Sequence, residues 1–353
     1  MIHPWLQETW QRLVALGERL PHALLFVGPA GLGKRDLADA LAARLLCATP
    51  RPDGCACDQC TTCQLRRSGN HPDLFMIVPA ADMEAGDGDE SREGGERDAG
   101  SAKKKSTQIV IEQIRDLQQS LSVTGHQSGR RVIVVDPADA MNPYTANALL
   151  KLLEEPPAGC LFVLVSSAPR RLLPTIRSRC QQWSFSRPAA DVVAQWLGTQ
   201  EAPAADLLAL AGGMPLAAQR LAAQRAGALL GRFVRDVGQL PPTDPLQLAG
   251  QWEAWLKSKE ALAAGFGIVQ LVEWMQRWVS DLASLRLGGR VRFFPREEGV
   301  MCALAQRSDV AAVLNCYNEL ARIRRVAQHP LNARLMLEDM LVRYARAVAR
   351  PRS

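Results

Sequence analysis

Residues 28–35 read Gly-Pro-Ala-Gly-Leu-Gly-Lys-Arg, directly after the apolar run 23–27 and directly before an amphipathic stretch at 36–46. Strand, glycine-rich turn and helix in that order form the phosphate-binding loop, and few chain folds accommodate it other than a parallel sheet covered by helices. In the full pattern, backbone N–H groups surround phosphate oxygens, a lysine meets their charge and a terminal hydroxyl holds Mg²⁺. Gly28, Gly31, Gly33 and Lys34 are present, but Arg35 stands where the hydroxyl belongs. A guanidinium has only donors and a positive charge, so it cannot ligate a cation.

The sheet expectation extends along the first half. Apolar runs at 74–78, 131–136 and 160–166 read as buried strands, separated by helical spacing at 111–121 and 144–153. Continuous apolar strands alternating with helices indicate a parallel sheet buried on both faces. Residues 80–107 interrupt the pattern. Eight acidic residues fall between positions 80 and 100, with many glycines and no large aliphatic side chain other than Met83. Such a stretch cannot bury enough apolar surface to offset its ordering entropy, so it is expected as a disordered insertion. After about residue 187 strand signals stop. Short helices are expected at 188–197, 204–210 and 215–224, then longer helices from about 231 to the end. Trp252, Trp255, Trp274 and Trp278 recur at three- and four-residue spacings, as in a helical core or helix–helix contact.

Cys57, Cys60 and Cys63 form C-x₂-C-x₂-C, with Cys55 two residues before and Cys47 ending the first long helix. Nine cysteines with no signal-peptide pattern point to metal or burial rather than disulfides. Thiolates at these spacings suit a structural Zn²⁺. Cys47, Cys57, Cys60 and Cys63 are the favoured ligands and Cys55 the spare. Cys160, Cys180, Cys302 and Cys316 are isolated and expected as buried or half-buried thiols. No apolar run is long enough to span a bilayer, so no membrane contact and a cytoplasmic location are expected. The net charge of +6 permits nucleic-acid contact without arguing for it.

Two further groups belong to the nucleotide machinery. Asp136 ends the 131–136 run, where an acid assists Mg²⁺ in phosphate-loop enzymes. The residue after it, Pro137, has no side-chain acid to polarise an attacking water. Ser166-Ser167-Ala168-Pro169 ends the next strand, where a polar γ-phosphate sensor often sits. Arg179, in Thr175-Ile176-Arg177-Ser178-Arg179-Cys180, is of the type that stabilises charge on a transferred phosphoryl group, and a neighbouring subunit can supply it.

The segment Thr145-Ala146-Asn147-Ala148-Leu149-Leu150-Lys151-Leu152-Leu153-Glu154-Glu155-Pro156-Pro157 and the triplet Ser178-Arg179-Cys180 resemble signatures of the bacterial DNA polymerase III clamp-loader AAA+ family. The cysteine insertion after the phosphate-loop helix and Asn332-x-x-Leu335-x-Leu337-Glu338 add to the resemblance, which covers nearly the whole chain. It implies an α/β P-loop AAA+ core at 1–186, with a zinc module at 47–63 and the insertion at 80–107. It further implies a small helical lid at 187–228 and an all-α collar at 229–353 that joins a hetero-pentameric ring. Implied partners are tau/gamma and delta subunits, and through the complex the sliding clamp and primer-template DNA. The chain departs from the hydrolysing tau/gamma pattern at Arg35, Pro137 and Pro215, the last standing where the motors' lid helix carries a phosphate-sensing arginine. Catalytic groups that act as a unit do not survive such losses piecemeal. The resemblance therefore implies a non-hydrolysing member of the DNA-directed DNA polymerase (nucleotidyltransferase) holoenzyme. Its Gly28, Gly31, Gly33, Lys34 and Asp136 form a vestigial nucleotide site, expected to stay empty, and Arg179 serves a neighbour's ATP. The alternatives are an active clamp-loader-type ATPase with a divergent site, and a zinc-dependent nucleic-acid binder built on an inactive core.

Overall fold

The computed structural model describes residues 2–81, 106–122, 129–199, 205–240, 243–327 and 332–349. Most of the insertion expected as disordered, residues 82–105, lies outside the described residues. The chain divides into two compact units, Met1–Arg187 and Pro188–Ser353.

The first unit opens with α1 (Gln7–Leu16), followed by β1 (Ala23–Val27), α2 (Lys34–Leu46), α3 (Thr61–Arg67), β2 (Leu74–Ile77) and α4 (Ile111–Ser122). Next come β3 (Arg131–Val135), α5 (Pro143–Glu154), β4 (Cys160–Ser166), α6 (Pro174–Arg179) and β5 (Gln181–Ser184). The strands form one parallel sheet in the order β2-β3-β4-β1-β5. Every residue of β1 and β4 is buried, which is why these strands read as unbroken apolar runs rather than alternating ones. Val27 is in register with Ser166, and Leu164 with Val135. The carboxyl ends of β1, β4 and β3 therefore lie side by side along one sheet edge. Such an edge is where open α/β sheets bind ligands. One face of the sheet packs Leu25, Ile133, Phe162 and Leu164 against Ile114 and Leu117 of α4 and Leu149 and Leu153 of α5.

Helix boundaries follow local chemistry. Asn142 caps α5 by accepting from the Thr145 N–H, and Pro143 occupies the first turn, where its missing N–H costs nothing. Strand β5 is one element that hydrophobic patterning does not announce. Its sequence Gln-Gln-Trp-Ser is exposed except for half-buried Trp183, and the strand exists because it extends the sheet edge beside β1.

The described part of the second unit is wholly helical: α7 (Ala190–Thr199), α8 (Ala205–Leu210), α9 (Pro215–Ala223), α10 (Ala226–Gly238) and α11 (Pro245–Leu256), then α12 (Lys259–Ala263), α13 (Ile268–Arg286), α14 (Glu298–Arg307), α15 (Val310–Val326) and α16 (Ala333–Val348). One core cluster runs from Leu207 on α8 to Val348 on α16. Trp252, Trp255, Trp274 and Trp278 are all buried in it, Trp252, Trp274 and Trp278 around Phe233 and Trp255 against Trp252 and Phe266, the core role their spacing suggested. The loop from α13 towards α14 is fixed by a buried carboxylate. Asp281 accepts from the backbone N–H groups of Arg292, Phe293 and Phe294 at 3.0, 2.7 and 3.0 Å. An α/β core with a parallel five-stranded sheet and a phosphate-loop turn, followed by a helical C-terminal region, is thus the architecture of the described residues. No helix among the described residues is long and apolar enough to cross a membrane.

Candidate functional site: a self-paired phosphate loop and a four-cysteine cluster

The loop between β1 and α2 has the geometry its glycines permit. Gly33 caps α2 at φ +82°, and a Cβ there would come within 2.4 Å of the His3 ring. A Cβ on Gly28 would lie 2.5 Å from the Phe185 carbonyl oxygen. Both positions are closed to larger residues by packing. The N-terminal segment helps close them. Trp5 Nε1 donates to the Leu32 carbonyl at 2.9 Å, His3 stacks on Trp5, and His3 Nε2 lies 2.8 Å from Asp36 Oδ2. Periodicity within the loop gives no sign of these contacts, because they join positions about thirty residues apart.

Lys34 is almost fully buried and its ammonium turns back on its own loop. It donates to the carbonyls of Gly28 at 2.8 Å and Pro29 at 2.7 Å, and to Ser167 Oγ at 3.1 Å. Burial pushes its pKa down to about 8, partly opposed by the charges of Asp136 and Asp139. Ser167 belongs to the sensor stretch after β4, so strand order brings these two parts together as the sequence suggested.

Arg35 does more than lack a hydroxyl. Its Nη1 donates to Asp136 Oδ2 at 2.9 Å, and its Nε donates to Asp39 one helical turn on, at 3.0 and 3.1 Å. Burial alone would lower the guanidinium pKa, yet Asp39 and Asp136 together raise it. The acid that would assist Mg²⁺ thus faces a covalently attached cation. A donor-only guanidinium beside Asp136 does not fit a magnesium ion there. Patterning missed Asp139, whose signal was a second carboxylate three residues after Asp136. It does not replace the missing base. It accepts from Ser166 Oγ and from the backbone N–H groups of Ser167 and Ala168 at 3.0 and 3.3 Å, so it braces the turn after β4.

Arg179 lies away from this arrangement, at the end of α6. Ile176 and Cys180 are buried and anchor the segment, while Arg179 is exposed. Its Nη2 lies 2.6 Å from Glu154 Oε1.

The cysteine module is held against α1 and α2. Arg44 donates to the Gly54 carbonyl at 2.9 Å, and Trp10 donates to that of Asp53 at 3.3 Å. Cys47 follows α2, Cys60 caps α3 and Cys63 lies within it. The sulfurs of Cys47, Cys57, Cys60 and Cys63 all lie within 4.8 Å of one another, with Cys47–Cys60 at 3.9 Å and Cys57–Cys63 at 4.0 Å. Zinc–sulfur bonds of about 2.3 Å in a tetrahedron require sulfurs about 3.8 Å apart, so these four fit a zinc ion. Cys55 is outside the group. Backbone N–H groups of Cys57, Gln59 and Cys60 donate to Cys47 and Cys57 sulfurs at 3.3–3.4 Å, the donor pattern that supports thiolates. The Thr62 hydroxyl holds Cys60 down to about 5, whereas burial pushes Cys63 up to about 12. A divalent cation among four such closely spaced sulfurs favours their thiolate forms. When bound, zinc supplies a structural cross-link between α2 and α3.

Comparison with known proteins shows what the whole chain is similar to. The family model described as DNA polymerase III, delta subunit, matches residues 3–189. The chain is 34% identical over 359 residues to DNA polymerase III subunit delta′ of Pseudomonas aeruginosa, covering 98% of this chain and 97% of that protein. It is 28% identical to the Escherichia coli subunit delta′, covering 97% and 94%. To DNA polymerase III subunit tau of Bacillus subtilis it is 28% identical over 50% of this chain and 27% of that protein. Among solved structures, a gamma subunit-related protein of Thermotoga maritima covers 97% of this chain and 99% of that one, at 18% identity and a TM-score of 0.46.

Proposed function

The chain belongs to the DNA polymerase III delta-prime family, and from that membership we propose that it is the non-hydrolysing subunit of a clamp loader. In this reading it joins tau/gamma and delta subunits in a hetero-pentameric ring in the cytoplasm. The ring loads the sliding clamp on primed DNA at the expense of ATP bound to the motor subunits. Residues 187–228 are assigned to the lid and 229–353 to the collar through which the ring assembles.

The observation that carries the non-hydrolysing assignment is the Arg35–Asp136 pair at 2.9 Å. Hydrolysis needs a metal on Asp136 and an acid to activate water. The first position is filled by a guanidinium, the second is Pro137, and the nearby Asp139 is committed to the turn after β4. With Lys34 donating to its own loop carbonyls, its ammonium needs no nucleotide to be satisfied, and Gly28, Gly31, Gly33, Lys34 and Asp136 are read as a vestigial site.

Arg179 is assigned as the arginine finger for a neighbouring tau/gamma subunit. It sits at the surface on a buried anchor, and its planar, permanently charged group matches the charge that spreads over phosphoryl oxygens in the transition state. It needs no proton transfer to do so. Zinc at Cys47, Cys57, Cys60 and Cys63 is structural in this reading.

The test is the clamp- and primed-DNA-stimulated ATPase of the reconstituted loader with wild type or Arg179→Ala, both rings verified by size exclusion. Arg179→Ala is expected to slow the adjoining motor site by on the order of 10³-fold. Turnover unchanged in an intact ring would make Arg179 a structural residue. Nucleotide hydrolysis by the isolated chain would favour the active-ATPase alternative.

A further inference from the structure

We infer that Glu154 is the resting counter-ion of Arg179, a positioning residue that holds the guanidinium back until a neighbour's nucleotide competes for it. The inference rests on the trans-arginine reading above. Glu154 is the last residue of α5, and Arg179 the last of α6. Arg179 Nη2 lies 2.6 Å from Glu154 Oε1, and its Nη1 donates to the Thr175 carbonyl one turn back, at 3.4 Å. Both contacts draw the guanidinium towards its own chain.

The position of the acid is informative. The carboxyl end of a helix carries partial negative charge, so a glutamate there opposes the helix dipole. Helix stability alone does not account for Glu154, whereas an external cation does. Arg179 is that cation.

The pair is also built to part. The two side chains are 38% and 46% exposed, so separation uncovers no buried charge, and ion pairs of this kind hold weakly. Ile176 and Cys180 keep the backbone in place, so only side-chain rotamers need change. A nucleotide phosphate carries more charge than a carboxylate and accepts a bidentate guanidinium. It therefore wins the competition when the neighbouring site closes, and Glu154 wins when that site is open. The pair biases the ring against hydrolysis before clamp and DNA are engaged.

The experiment uses the assembled loader carrying wild type, Glu154→Gln, Arg179→Ala or both substitutions, each ring confirmed by size exclusion. ATP turnover is measured without DNA or clamp, and again with both at saturation. Glu154→Gln keeps the side chain's shape and removes its charge. The expected result is a basal rate raised about two- to fivefold, the range over which an exposed pair can compete, with the stimulated rate near wild type. The double variant should match Arg179→Ala. A merely structural role for Glu154 would lower both rates together, and that result overturns the inference. An unchanged basal rate with Glu154→Gln, while Arg179→Ala abolishes stimulation, also overturns it and leaves the trans-arginine reading standing. If Arg179→Ala has no effect, both fall.

Discussion

Lys34 shows how far a motif's chemistry depends on what surrounds it. The residue type and position match a phosphate-binding lysine, yet its three hydrogen bonds go to Gly28, Pro29 and Ser167. Its burial has a measurable consequence. Below about pH 8 the ammonium is charged in native and unfolded chains alike, and the cost of burying it is fully present. Between about 8 and its ordinary 10.5 the native chain has released the proton while the unfolded chain keeps it, so stability rises with pH across that window. Urea midpoints of wild type and Lys34→Met, compared at about pH 7 and about pH 10, should therefore move in favour of wild type at the higher pH. A constant difference would mean that water reaches the ammonium in solution. Residue-level chemistry was partly legible in the sequence. The loss of the hydroxyl at Arg35 and of an acid at Pro137 could be read directly, because both depend only on residue type. The partners of Arg35 could not, since Asp136 is about a hundred positions away and becomes a neighbour only when β3 is placed in the sheet.

At the scale of elements, legibility followed burial. Strands β1 and β4 were readable to the residue because both faces are covered, and α5 was marked by its periodicity. Strand β5 was not, because an exposed edge strand of Gln-Gln-Trp-Ser carries no hydrophobic pattern. Helix α3 was hidden for a related reason. Its seven residues bury one side chain, Cys63, and the short helix is held by the cysteine cluster and by Asp58, which pairs with Arg51, Arg66 and Arg67. Such an element depends on its cross-link. Removing zinc with a chelator, with release verified by metal analysis, should lower the melting temperature of the first unit by on the order of 10 °C. Cys60→Ser should do the same without chelator, and Cys55→Ser should not. Equal effects from both substitutions would show that the ligand set is different.

Taken as a whole molecule, the chain has separate stabilising devices in its two units: a four-cysteine cluster in the first and a buried carboxylate in the second. Asp281 is buried and accepts three backbone hydrogen bonds, while burial draws its pKa upward against them. Asp281→Asn substitutes an amide whose N–H₂ faces donors, and it should destabilise the second unit by about 2–3 kcal/mol. In a calorimetric scan this substitution should lower a transition that the chelator leaves in place. A single transition moved equally by both would show that the units melt as one. The architecture was legible at this scale because strand signals end where the helical unit begins.

The Arg35–Asp136 pair also bears on how such a chain can change over generations. A motor restored from it needs a hydroxyl at position 35, an acid at 137 and a free Lys34, and no single exchange moves uphill in activity. Replacing Arg35 alone strips Asp136 of its partner and still provides no base. Replacing Pro137 alone places a second acid beside a metal position that a guanidinium still fills. Neither first step by itself provides both a metal position and a base. The pairing would thus act as a ratchet: with the internal cation in place, no single substitution restores a metal position and a base together.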